Sequence, residues 1–176
     1  MKFDFLKSPL MVIFLVALVV RLIGVQWGLP TAERLFTLHP DEQDNLLFAR
    51  QINPVQFDFL PGFYNYGTLY LTLLRIVSDI VITYSGGLDS SGFIPPAMAG
   101  SIHLGGRIMN CFFGAGIAAL TAAIVGRSLP GKQLWVAGGI VAVAPALVVH
   151  SRFQTVDMLA CLLITAVLYC AVRIME

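Results

Sequence analysis

Two short acidic clusters are the residues best suited to chemistry. Leu38-His39-Pro40-Asp41-Glu42 sets adjacent carboxylates after a proline, and proline suits the first position of a helix. Asp41 and Glu42 then fall in the first turn, at the positive end of the helix dipole, where the ionised forms are favoured. A carboxylate held there can take the proton of an attacking hydroxyl. It can equally be an ordinary first-turn acid. The second cluster is His150-Ser151-Arg152-Phe153-Gln154-Thr155-Val156-Asp157. Asp157 opens an apolar run, and a helix cap explains an aspartate there just as well. Two such acids sharing one site would repel each other, so they require a metal, an arginine such as Arg152, or a shared proton. A divalent ion between Asp41 and Asp157 is therefore one expectation, since hard cations take carboxylate oxygens. Arg107 and Arg152 are the cations available to stabilise a leaving anion, although Arg107 also reads as a charge reaching for a membrane interface.

Between the clusters runs Phe57-Asp58-Phe59-Leu60-Pro61-Gly62-Phe63-Tyr64-Asn65-Tyr66-Gly67. Its aromatics either form a belt at a membrane interface or wall a pocket for a sugar or a prenyl chain.

The elements that must position these groups are membrane helices. Of the 176 residues, 57% are hydrophobic and 12% charged, against about 25% charged in an average soluble domain. The net charge of +1 leaves no electrostatic footprint for nucleic acid. Several apolar runs approach the roughly 20 residues that a spanning helix needs. The run over 9–27 follows Lys2 and Lys7 like a secretory leader, but it exceeds the usual h-region of about 7–15 residues and lacks a cleavage site. It reads as a retained span with its amino terminus in the cytoplasm, and Arg21 near its outer end is expected to snorkel outward. Spans over 103–126, 134–150 and 156–172 follow, oriented by Arg127, Lys132 and Arg173 on the cytoplasmic side.

The run over 67–84 carries Arg75 and Asp79 near its middle, each costing about 2.5–3.5 kcal/mol at a bilayer centre. A juxtamembrane helix in the outer interface accommodates them better. The expected fold is thus all-α, a polytopic bundle of about four spans with juxtamembrane helices in a long external loop over 28–102. Small residues every four positions, Gly114, Ala118 and Ala122, then Gly138, Ala142 and Ala146 up to His150, suit close helix packing in lipid. Asp157, Cys161, Thr165, Tyr169 and Arg173 mark a polar seam on the last span. Cys111, Cys161 and Cys170 lie in apolar runs without metal-type spacing and read as packing residues.

HPDEQ after the first span, FYNYGTLYLTLL further along, GR opening the next span and HSRFQTVDM before a later one resemble the family 39 glycosyltransferases. These are the protein O-mannosyltransferase and aminoarabinose-transferase type of the glycosyltransferase C superfamily. The resemblance covers nearly the whole chain. It implies transfer of a sugar from a polyprenyl-phosphate donor to an acceptor hydroxyl at the external face of a bacterial inner or plasma membrane. It also implies Asp41 as the base, with Glu42 and Asp157 completing the acidic set and juxtamembrane helices in the first loop. Arg107, Arg152, His39, Tyr64 and Tyr66 are the expected substrate contacts. Family members are longer, with more spans, so the expected activity calls for further sequence or for a partner chain supplying it. A non-catalytic membrane subunit that keeps the scaffold is the alternative, and a transporter is the third possibility, without a broken helix pair or repeat in the sequence to support it.

Overall fold

Prolines start most of the helices. Among the described residues Pro9, Pro40, Pro96 and Pro145 open four of seven α-helices, and Pro54 opens a short 3-10 turn. Each sits where the missing N–H would have been unsatisfied anyway. The structure, a computed structural model, describes residues 8–88, 92–129 and 131–175. Lys2, Lys7 and residues 89–91 of the expected external loop lie outside the described residues. Along the chain run α1 (Pro9–Leu22), α2 (Pro40–Ala49), the 3-10 turn Pro54–Gln56, α3 (Thr68–Tyr84), α4 (Pro96–Ser128), α5 (Gln133–Val143), α6 (Pro145–His150) and α7 (Asp157–Met175). The all-helical class is as the sequence implies. Among the described residues the extended pairing is a single bridge, Asn53 with Asp58.

The chain divides into two compact units. One comprises residues 1–24, 110–152 and 157–176, the other residues 25–109 and 153–156. Among the described residues two helices are long and apolar enough to cross a membrane: α4, with 33 residues, and α7, with 19. At 1.5 Å per residue they measure roughly 50 and 28 Å.

In the first unit, α1 packs on α5 and on the second half of α4 around Ile13, Ala17, Ala115, Ala118, Ala122 and Ala142. The small residues let backbones approach. A Cβ on Gly138 would come within 2.7–3.0 Å of Ile13 and Ala122. The expected small-residue face stops short, however, because Ala146 and His150 are exposed. The run over 134–150 is not one helix. It breaks at Ala144, whose ψ of 117° is extended, because Pro145 has no N–H to continue the ladder and disfavours helix at the residue before it. The face is lost where α6 restarts.

The break exposes carbonyls, and Arg21 takes them. Its guanidinium donates to the carbonyl oxygens of Val141 (3.2 Å) and Ala142 (2.9 Å), to Ala17 O (3.0 Å) and to Ser151 Oγ (3.2 Å). Arg21 is fully buried, so it does not snorkel. The negative end of α5 supplies the compensation that lipid headgroups were expected to provide. The run over 9–27 is also shorter as a helix than expected. α1 ends at Leu22, and Gly24 at φ +77° turns the chain away.

In the second unit, α2 and α3 pack together. Tyr70, Leu71, Leu74 and Ser78 form the buried face of α3. Arg75 and Asp79 pair along its flank at 2.8 Å, and Arg75 also donates to Arg50 O at 2.7 Å. Leu69, Ile76, Ile80 and Tyr84 stay exposed, so the helix is apolar on two faces with one ion-paired edge. α4 begins at Pro96, two turns before the expected 103, and its first turns belong to this unit.

Candidate functional site

The first turn of α2 carries Asp41 and Glu42, and successive helical residues project about 100° apart, from 3.6 residues per turn. One of the two therefore turns inward and the other does not. Glu42 is the inward one, fully buried together with Asn45, Leu46 and Ala49 on the same face. That spacing of three, four and seven is the ordinary signature of a core face, except that its first two members are polar.

Arg107 of α4 meets Glu42 in a two-pronged pair, Nε to Oε1 and Nη2 to Oε2, both 2.7 Å. The side chains are 1% and 0% exposed. Arg107 Nη1 donates to the carbonyls of Val25 (2.9 Å) and Trp27 (2.6 Å). The fork geometry of a guanidinium is what allows carboxylate and carbonyls to be held at once. Glu42 Oε1 also accepts the backbone N–H of Gln154 at 2.8 Å. Gln154 is stitched to α2 twice more, through Nε2 to Glu42 O (3.1 Å) and through its carbonyl to Asn45 Nδ2 (2.9 Å). Gly106 has to be glycine for this to close, because a Cβ there would collide with the Gln154 side chain. The pair Gly106-Arg107 thus serves one contact, with the first residue giving room and the second giving charge.

Aromatic rings line the same place. Phe153 lies 4.7 Å from the His39 ring and 5.6 Å beneath the Arg107 guanidinium. Among the described residues His39 Nδ1 and Asn45 Oδ1 are buried without a hydrogen-bond partner, and buried orphan groups in a folded protein call for a ligand or water. A cavity of about 240 Å³ adjoins α2, lined by Leu35, Gln43, Leu46, Phe93, Ala99 and His103 among others. Its walls are apolar apart from Gln43 and His103. The volume is below the roughly 300–1,000 Å³ of an ordinary ligand pocket, enough for one part of a larger ligand.

The expected site residues fall in both units. In the second unit, Asp41 is half-buried, and among the described residues no hydrogen bond or ion pair holds its carboxylate. Glu42 and Arg107 are spent on each other. Tyr64 is 68% exposed. Tyr66 is half-buried, 5.4 Å from Phe63, which in turn stacks on Phe48 of α2 at 4.1 Å. In the first unit, Arg152 is half-buried and donates to Val20 O (3.1 Å) and Arg21 O (3.4 Å), so it caps the carboxyl end of α1. Asp157 is exposed at the head of α7. Among the described residues no three His, Cys, Asp or Glu side chains gather as a metal set.

Gln154, Asn45, Phe153 and His103 were not legible as site residues. Asn45 lies three positions after Glu42, on the same helical face, and that spacing was the available signal. Compared with known proteins, the chain matches no family model, no curated protein and no solved structure.

Proposed function

We propose that this chain is an integral membrane protein that transfers a sugar from a polyprenyl-phosphate donor to an acceptor hydroxyl, in the manner of the family 39 glycosyltransferases it resembles. The observation that carries the reading is the buried knot of Glu42, Arg107 and Gln154. It draws HPDEQ, GR and the centre of HSRFQTVDM into a single contact, although these motifs lie far apart in sequence. In this reading Asp41 is the base. Its neighbour Glu42 and Arg107 hold the first turn of α2 rigid, and Asp41 stays available to take the acceptor proton as the hydroxyl attacks the anomeric carbon. The lipid phosphate leaves with the electrons of the broken bond. Turnover of labelled polyprenyl-phosphate sugar by the purified protein tests the reading, and absence of transfer with any lipid-linked donor rejects it.

Membrane placement rests on how little of the apolar surface the fold covers. Only 11% of the apolar window of α7 is buried, whereas a core helix of a soluble protein would be mostly buried. Four spans are proposed: α1, α4, α5 with α6, and α7, with α3 lying in the outer interface and Arg127, Lys132 and Arg173 inside. Single cysteines at Ser85 and Ser128, both exposed, test the topology once Cys161 and Cys170 are replaced by alanine. In intact cells a membrane-impermeant maleimide is expected to label position 85, and position 128 only after permeabilisation. The opposite pattern overturns the arrangement.

The non-catalytic alternative also has an observation in its favour, since every interaction of Arg107 described above is internal. Such a subunit would bind donor lipid without turnover.

A further inference from the structure

The first unit carries a groove that glycosyl transfer does not use. It has a volume of about 340 Å³ and is lined by Ser8, Ala122, Gly126, Arg127, Leu134 and Tyr169, among others. The starts of α1 and α5 and the end of α4 all border it. Its floor is made of small apolar residues. Among the described residues its cationic wall is Arg127, whose guanidinium lies 5.6 Å over the Tyr169 ring, a contact that favours one position of the charge. A second furrow, of about 410 Å³, runs along the exposed side of α5 from Lys132 past Val136 and Ala137 to Ile140. Both hollows thus border a cation and are otherwise lined mainly by apolar side chains, with Gln133 in one and Ser8 and Tyr169 in the other. Among the described residues neither α1 nor α5 has an acidic residue in its first turn or a side-chain cap, so their first turns keep a positive end.

We infer that this end of the first unit binds an anionic phospholipid of the cytoplasmic leaflet. Arg127 and Lys132 take the phosphate region, and the acyl chains lie along Ala122, Leu134, Val136 and Ile140. Charge complementarity selects the occupant. A lipid with net negative charge is attracted by both cations, whereas a zwitterionic headgroup brings its own cation to the same place. Trp135 sits in the first turn of α5, its backbone N–H donating to Lys132 O at 3.0 Å, and indoles favour the headgroup level. The inference rests on the membrane placement proposed above and is independent of glycosyl transfer.

Trp135 also supplies the measurement. It is 44% exposed, and Trp27→Phe leaves it as the sole tryptophan of the two in the chain. The Trp27→Phe protein is placed in phosphatidylcholine vesicles with increasing fractions of chain-brominated phosphatidylglycerol or chain-brominated phosphatidylcholine. Half-maximal quenching is expected at a fraction about fivefold lower for the anionic lipid per contributing cation, the ratio for ~1 kcal/mol per basic residue at an anionic surface. Arg127→Gln is expected to lose about fivefold of that preference, and Arg127→Lys to keep most of it. Equal quenching by both lipids, or a preference that survives Arg127→Gln and Lys132→Gln together, overturns the lipid site and leaves the membrane placement standing. Quenching by neither lipid overturns both.

Discussion

Asp41→Asn is expected to lower sugar transfer by about 10²–10⁴-fold, the usual contribution of a general base, with insertion and thermal stability unchanged. The amide keeps the shape and removes the proton acceptor. Because no hydrogen bond or ion pair holds the Asp41 carboxylate among the described residues, the substitution breaks no structural contact described here. A carboxylate that merely complements the dipole of α2 is worth about 0.3–1 kcal/mol, and its loss would shift stability slightly and leave turnover intact. The check is initial rates with labelled polyprenyl-phosphate sugar, normalised to folded protein by size-exclusion chromatography. Near-normal turnover by the Asn variant rejects Asp41 as the base.

Arg107→Ala acts through the fold instead. It strips Glu42 of its partner in a site that is 0% exposed and leaves the carbonyls of Val25 and Trp27 without their Arg107 donor. Breaking a buried pair from one side costs about 3–5 kcal/mol, a large part of the roughly 5–15 kcal/mol that holds a domain together. Most of the protein is expected to be lost from the monodisperse peak, with a strongly lowered Tm in what remains. Arg107→Lys restores little, because an ammonium cannot span both carboxylate oxygens and two carbonyls. Combining Arg107→Met with Glu42→Gln is expected to recover part of the loss. The amide oxygen of glutamine can still accept the Gln154 N–H, and no charge is left buried. An unchanged Tm for Arg107→Ala would show that the pair does not hold the unit together.

The contrast between these two variants bears on what could be read in advance. Asp41 and Glu42 are indistinguishable in sequence, being two acids in one helical turn. Their separation into a free carboxylate and a structural one depends on which face of α2 meets α4 and residues 153–156. Those partners lie 65 and 112 positions away.

The sequence by itself determined the helical class, through long apolar runs that prolines divide at their starts. It marked Arg75 and Asp79, four apart, as charges that set α3 apart from the apolar runs, and it singled out HPDEQ, GR and HSRFQTVDM as the stretches bearing candidate site residues. Only the tertiary structure decided the rest. It set Arg21 inward onto carbonyls 120 and 121 positions away rather than outward, because the break at Pro145 frees acceptors that no local pattern in α1 reveals. It committed Arg107 to Glu42, and it called on Gln154 and Asn45. Helix periodicity and capping are local and can be read from neighbouring residues. The partner of a buried charge depends on which distant backbone groups lack a hydrogen bond, and that is settled only when the helices pack.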